Sequence, residues 1–234
     1  MKGFVPTPGE LVDLMVDKLL RVHEPTSATT LRDPGCGEGE FIAGVLRWCG
    51  ANGRPVPRIV GVEQHAGRAA IARRRFAGSG QVEIETGDFL RPSERRFDLV
   101  IGNPPYVSLG NLSVEERASY RAHYQTARGR FDLYMLFFEQ ALRLLRPSGR
   151  LVFVTPEKFT YVDAANSLRQ LLLERTVEEL HYVDEATFQG FVTYPIVTTI
   201  GPSRRGASTT VIARGGNTSA IRLRDARSWQ AVLR

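Results

Sequence analysis

The chain has 234 residues, 42% hydrophobic and 24% charged, which fits one sizeable globular domain with a buried core. No apolar stretch approaches the roughly 20 residues of a membrane span, and Met1 to Pro6 carry no signal-peptide core, so no membrane partner is expected. The formal charge is +6, and the two cysteines, Cys36 and Cys49, exclude a disulfide framework and a zinc cluster; a reducing, cytoplasmic setting without a metal is expected.

Taken along the chain, Pro8 to Arg21 reads as a helix, with Thr7 as N-cap, Glu10 three residues on, and Leu11, Met15 and Leu19 on one face. A short strand ends at Arg32-Asp33. The glycine loop Gly35 to Gly39 then opens a helix from Phe41 to Trp48. Arg58 to Glu63 is the next strand and Ala66 to Phe76 the next helix, followed by strands at Val82 to Thr86 and Phe97 to Gly102. A polar stretch leads to a helix from Phe131 to Leu145, stopped by Pro147 and Gly149. Leu151 to Thr155 is a strand and Ala164 to Leu173 a helix, and strands at Val177 to Val183 and Tyr194 to Ile200 complete the series. Strands alternating with helices predict an α/β fold with a doubly wound, mostly parallel, seven-stranded sheet.

Periodicity fades near Gly201. Residues 1–200 carry 24 Lys/Arg against 24 Asp/Glu, so the whole net charge lies in residues 201–234, which hold seven arginines and only Asp225. We therefore read residues 1–200 as a catalytic domain and 201–234 as a basic C-terminal extension or linker. Val211-Ile212 and Ile221 to Leu223 are candidate final strands there. The charge suits a polyanion such as nucleic acid, although a solvated tail would carry the same composition.

Asn103-Pro104-Pro105-Tyr106 follows an apolar strand, at the point where open α/β sheets hold their ligands. The two prolines fix the backbone and remove two N–H donors, so the Pro104 carbonyl and the Asn103 amide are held outward. Tyr106 adds a flat aromatic face. Such a site accepts hydrogens from an amino group and stacks on the planar system carrying it, be that adenine or a glutamine amide. An ordinary strand-exit turn would use the same residue types.

Asp33-Pro34-Gly35-Cys36-Gly37-Glu38-Gly39 joins a strand to a helix, and its glycines allow a close backbone approach to a ligand. A dinucleotide fingerprint starting at Gly35 would need glycine where Glu40 stands. Asp33, Glu38 and Glu40 would also repel a pyrophosphate. A cationic cofactor without phosphate fits better, and S-adenosylmethionine has that character. Glu63, ending the second strand, can accept from ribose hydroxyls. Asp88 can accept from the adenine amino group, with Phe89 against the ring. Asp33, Glu63, Asp88 and Asn103 fall at the ends of successive strands.

These residues resemble the amino-type DNA methyltransferases of the N6-adenine class, whose cofactor motifs precede Asn-Pro-Pro-Tyr. The resemblance covers residues 3–200. It includes Thr7 to Glu10 as the N-terminal cofactor motif, Asp33 to Phe41, Glu63, Asp88-Phe89, Asn103 to Tyr106, Phe131 to Tyr134 and Arg146 to Leu151. It implies a Rossmann-like methyltransferase fold and S-adenosylmethionine as cofactor. The implied reaction is methylation of adenine N6 in double-stranded DNA, within a restriction-modification system. The target adenine would be flipped out of the duplex, with Tyr106 stacking on one face. An aromatic after the seventh strand segment would close the other face; Phe188 is the first choice, Phe191 and Tyr194 its rivals. Val107 to Arg130, basic with interleaved tyrosines, reads as a mobile flap near the DNA or as a solvated amphipathic helix.

The family carries a recognition domain after the catalytic one, and about 34 residues are too few for it. A fragment, a separate recognition subunit or another substrate would each account for this. The same catalytic motif serves glutamine N5 and some RNA methyltransferases, and a non-catalytic subunit of a modification complex is a further alternative.

Overall fold

The computed structural model describes residues 6–184, 187–188, 194–225 and 228–233. The chain runs α1 (Gly9–Leu20), β1 (Thr30–Pro34), α2 (Glu40–Ala51), β2 (Arg58–Glu63), α3 (Ala66–Arg75), β3 (Val82–Thr86) and β4 (Phe97–Gly102). It continues through α4 (Val114–His123), α5 (Leu133–Leu144), β5 (Leu145–Pro156), α6 (Asn166–Leu172), β6 (Thr176–Tyr182), β7 (Pro195–Gly201), β8 (Thr209–Ile212) and β9 (Thr218–Ile221). No described helix is long and apolar enough to cross a membrane.

The strands form one sheet in the order β3-β2-β1-β4-β5-β7-β6-β8-β9. This corrects the expected seven-stranded, mostly parallel sheet: the observed one has nine strands and is mixed, because β7 runs antiparallel between β5 and β6, and β9 folds back on β8. The additional strands are β8 and β9, which lie in the basic segment. That segment is continuous with the sheet, and its Trp229 is buried, its ring centroid 6.0 Å from that of Phe159. Strands β1, β2, β4, β5, β6 and β8 run parallel, so their C-terminal ends share one edge.

Both sheet faces are apolar because successive residues point to opposite sides. In β5, Leu151 and Phe153 join the cluster built around α5 and α6, while Val152 and Val154 join the one around α1 and α2. Each fully buried side chain of this kind contributes roughly 1.5–3 kcal/mol. Helix α5 is buried almost all round, including Glu139 and Gln140. Glu139 accepts from the amides of Gln125 and Thr126 at 3.0 and 2.8 Å and from the Thr126 hydroxyl at 2.7 Å. These bonds tie the end of the expected flap to the core, with Tyr124 and Ala127 buried beside them. Within the flap, α4 starts at a capping box made by Ser113 and Glu116 and buries none of its residues.

Thr7 does not cap α1. The cap position falls on Pro8, which offers no side-chain acceptor, and the Thr7 hydroxyl is used elsewhere.

Candidate active site

Because β1, β2, β3 and β4 are parallel, Asp33, Glu63, Asp88 and Asn103 are brought to the same edge of the sheet. Glu63, Asp88 and Asn103 line a cavity of about 330 Å³, whereas Asp33 is fully buried and does not line it. Its walls include Thr7, Gly35, Gly37, Glu38, Glu40, Glu63, Arg68, Asp88, Phe89, Asn103 and Pro105.

The glycine loop forms the cavity's tight side. Gly35, Gly37 and Gly39 have φ of +83°, +57° and +93°, so each takes the left-handed backbone that a side chain would resist. A Cβ on Gly39 would also fall 2.3 Å from Phe76 Cε2. The turn is fastened to the end of β2: the amides of Gly35 and Cys36 both donate to the Val62 carbonyl at 2.8 Å, and the Gly37 amide donates to Glu63 Oε2 at 3.0 Å. Glu63 further accepts from the His65 amide at 2.7 Å and pairs with Arg68 at 2.8 Å. Three partners leave roughly one of a carboxylate's four lone-pair sites for a ligand.

Asp33 lies beneath the turn and is fully buried, and neither of its carboxylate oxygens has a hydrogen-bond partner among the described residues. Burial pushes its carboxyl well above the usual carboxylate range, and the charge of Glu63 pushes the same way. Burial also raises the Cys36 thiol, with the charges of Asp33 and Glu63 adding to it, so this cysteine is poorly disposed to act as a nucleophile. Asp88 lines the cavity, and its Oδ1 accepts from the Leu90 amide at 2.9 Å. Phe89 rests against Phe137, ring centroids 5.2 Å apart, with the Arg32 guanidinium 6.0 Å from its own centroid.

The Asn103-Pro104-Pro105-Tyr106 loop has two sides. Asn103 and Pro105 line the cavity; Tyr106 does not, and its hydroxyl lies 3.5 Å from the Val154 carbonyl. Asn103 Nδ2 donates to the Thr7 hydroxyl at 3.2 Å. With the nitrogen so used, the side-chain oxygen is the atom turned to other partners. The chain after the loop is pinned by a bridge between Ser108 and Asp132, and by the Leu133 amide donating to the Val107 carbonyl at 2.9 Å. Asp132 in turn pairs with Lys158, just beyond β5. Burial pushes the Tyr106 hydroxyl up, so it stays protonated.

Phe188, like Tyr106, does not line this cavity; it is 2% exposed in the apolar cluster with α1 and β7. Tyr194 is 47% exposed beside β5's end, with the Arg214 guanidinium 5.4 Å from its ring centroid. Phe191 lies outside the described residues. Arg68, Phe137 and Arg32 were not anticipated. Arg68 could have been suspected from its position five residues after Glu63, but Arg32 and Phe137 reach Phe89 only through packing.

The acid-rich walls and the left-handed glycine turn fit a cofactor that is cationic and lacks phosphate. S-adenosylmethionine meets those conditions.

Comparison with known proteins follows the same line. Residues 61–188 match the family model described as Eco57I restriction-modification methylase. The chain is 30% identical over 243 residues to the type II methyltransferase M.PaeR7I of Pseudomonas aeruginosa, covering 91% of this chain and 42% of that protein. It is 29% identical over 231 residues to the type II methyltransferase M.XhoI of Xanthomonas vasicola, covering 85% and 42%. Among solved structures, a type I restriction-modification methyltransferase subunit from Streptococcus thermophilus superimposes with a TM-score of 0.72 at 18% identity, over 100% of this chain and 53% of that one. The chain thus spans less than half the length of the two curated relatives.

Proposed function

The chain belongs to the Eco57I restriction-modification methylase family, and on that premise we propose that it methylates the exocyclic N6 nitrogen of adenine in DNA. The observation that carries this reading is the Asn103 loop at the end of β4, which forms one wall of an acid-rich cavity while its aromatic residue faces away from it. S-adenosylmethionine is the cofactor, and when bound it supplies an electrophilic methyl group on a sulfonium. Glu38, Glu40, Glu63 and Asp88 give the cavity its negative character, and Phe89 offers a flat apolar surface for a purine.

The amino nitrogen of adenine is a weak nucleophile because its lone pair is delocalised into the ring. Asn103 Oδ1 and the Pro104 carbonyl accept its two hydrogens, which favours a pyramidal nitrogen with a localised lone pair. The Thr7 hydroxyl fixes the Asn103 amide in the orientation this requires. Tyr106, held neutral, stacks on the base. The contribution of these groups is positioning and electrostatic preorganisation, without a covalent intermediate. The adenine reaches them only after leaving the duplex stack.

The test is transfer of labelled methyl groups from S-adenosylmethionine to unmethylated DNA at low salt, followed by digestion to nucleosides. Label in N6-methyldeoxyadenosine supports the reading. Label confined to RNA or to a protein glutamine offered in parallel overturns it.

A further inference from the structure

A second pocket lies at the opposite edge of the sheet. Thr176 and Thr209, which begin β6 and β8, and the chain that follows the end of β9 belong to that edge, far from the strand ends that hold Asp33 and Asn103. The pocket measures about 410 Å³ and is lined by Arg175, Arg204, Arg205, Arg222 and Arg224, with the two threonines at its floor. No carboxylate lines it, and none of these arginines forms an ion pair among the described residues.

The pocket is assembled from three separate pieces of chain. Arg175 is fixed by donating to the carbonyls of Leu145, Arg146 and Pro147 at 3.2, 3.2 and 2.7 Å. The Arg204 amide donates to the Thr176 hydroxyl at 2.8 Å, which holds the 203–206 turn against β6. The Thr209 hydroxyl donates to the Val177 carbonyl at 2.7 Å and anchors β8. Arg222 and Arg224 enter from the chain after β9, and Asp225 next to them is bonded to the Ser228 amide at 2.9 Å. Five arginines line a pocket whose walls hold no carboxylate, although Glu174 acts on Arg175 from beside it, and such a surface attracts an oxyanion. Guanidinium forks match phosphate geometry.

We propose that this pocket binds phosphates of the DNA backbone, giving the protein a contact with the duplex beyond the one at the Asn103 loop. The proposal rests on the reading that DNA is the substrate. Four of the five arginines are exposed, on two loops, which suits an extended phosphodiester chain better than an enclosed small anion. In the order β4-β5-β7-β6-β8, four strand spacings, roughly 19 Å, separate the Asn103 strand from β8 across the sheet. A duplex turn of about 34 Å is long enough to pass both.

The test measures binding of an unmethylated duplex of about 30 base pairs between 50 and 200 mM salt, a range over which phosphate contacts are strongly weakened. The full chain is compared with R204A/R205A and R222A/R224A, and with R74A, an exposed arginine on α3, as control. Each double variant should bind about tenfold more weakly at 50 mM salt, with the log–log salt slope reduced by about two. The control should leave both unchanged. Unchanged slopes in the double variants overturn the proposal. So does loss restricted to a free nucleoside triphosphate while duplex binding is retained. Methyl transfer assayed on the same samples separates the two readings: labelled adenine with unaltered slopes removes the pocket alone. A wild-type chain that neither binds duplex nor labels adenine removes the substrate reading and the pocket with it.

Discussion

The two edges of the sheet are opposites in charge and in how that charge is held. At the catalytic edge, Glu38, Glu40, Glu63 and Asp88 face a cavity that contains one arginine, Arg68, already paired with Glu63. At the other edge, five arginines share a pocket with no carboxylate. The first arrangement suits a cation and the second a polyanion, and the β-sheet keeps them apart. The contrast shows that a net charge of +6 says little about either site. What matters is which strand ends the charges occupy.

Removing the central acceptor should break the comparison most severely. Asn103→Ala should lower methyl transfer about a thousandfold or more, with S-adenosylmethionine affinity altered less than threefold by calorimetry. A variant that transfers at the normal rate would remove the catalytic assignment.

Trp229→Ala tests whether the basic edge is part of the folded body. A tail would lose nothing, whereas excision of a buried tryptophan packed on Phe159 should cost about 3–5 kcal/mol in chemical denaturation.

Asp33→Asn addresses the acid edge. Cofactor affinity should change less than threefold, because the Asp33 carboxyl holds its proton and does not line the cavity. Stability should respond instead. The folded state holds the Asp33 proton more tightly than the unfolded chain does. The stability linked to that proton is therefore complete below the unfolded value, near 3.9, and is lost as pH rises through the raised folded value. The asparagine variant lacks this loss, so its melting temperature without cofactor should decline less with rising pH. Parallel melting profiles for the two proteins would contradict the account.

Gly39→Ala should cost about 1–3 kcal/mol, from a residue forced to φ +93° and a methyl group driven into Phe76. Its cofactor affinity should drop with it, while duplex binding at the arginine pocket should not. The arginine double variants carry the smallest effect, about tenfold in duplex affinity, and should leave cofactor binding unchanged.

Much of the catalytic edge was legible because each element leading to it announces itself locally. Glycines at alternate positions, a carboxylate closing a strand and two prolines after an apolar run are signals contained within a few residues. Phe188 carries no such local signal. An aromatic on a connecting segment has the same local signature whether it caps a ligand or fills a core, and only the neighbouring α1 and β7 side chains decide. The basic segment was legible in part: Val211-Ile212 and Ile221 to Leu223 marked candidate strands, but runs as short as β8 and β9 do not reveal that they extend the sheet.

The sequence by itself determined the α/β class, the positions of the first strands along the chain and the residues at their ends, because backbone conformation and strand exit depend on near neighbours. The tertiary structure alone decided that Thr7 holds Asn103 across 96 residues, that Arg32 supports Phe89, and that arginines from three chain segments meet in one pocket. Those outcomes rest on non-local packing and on the register of parallel strands, and no short stretch of chain encodes either.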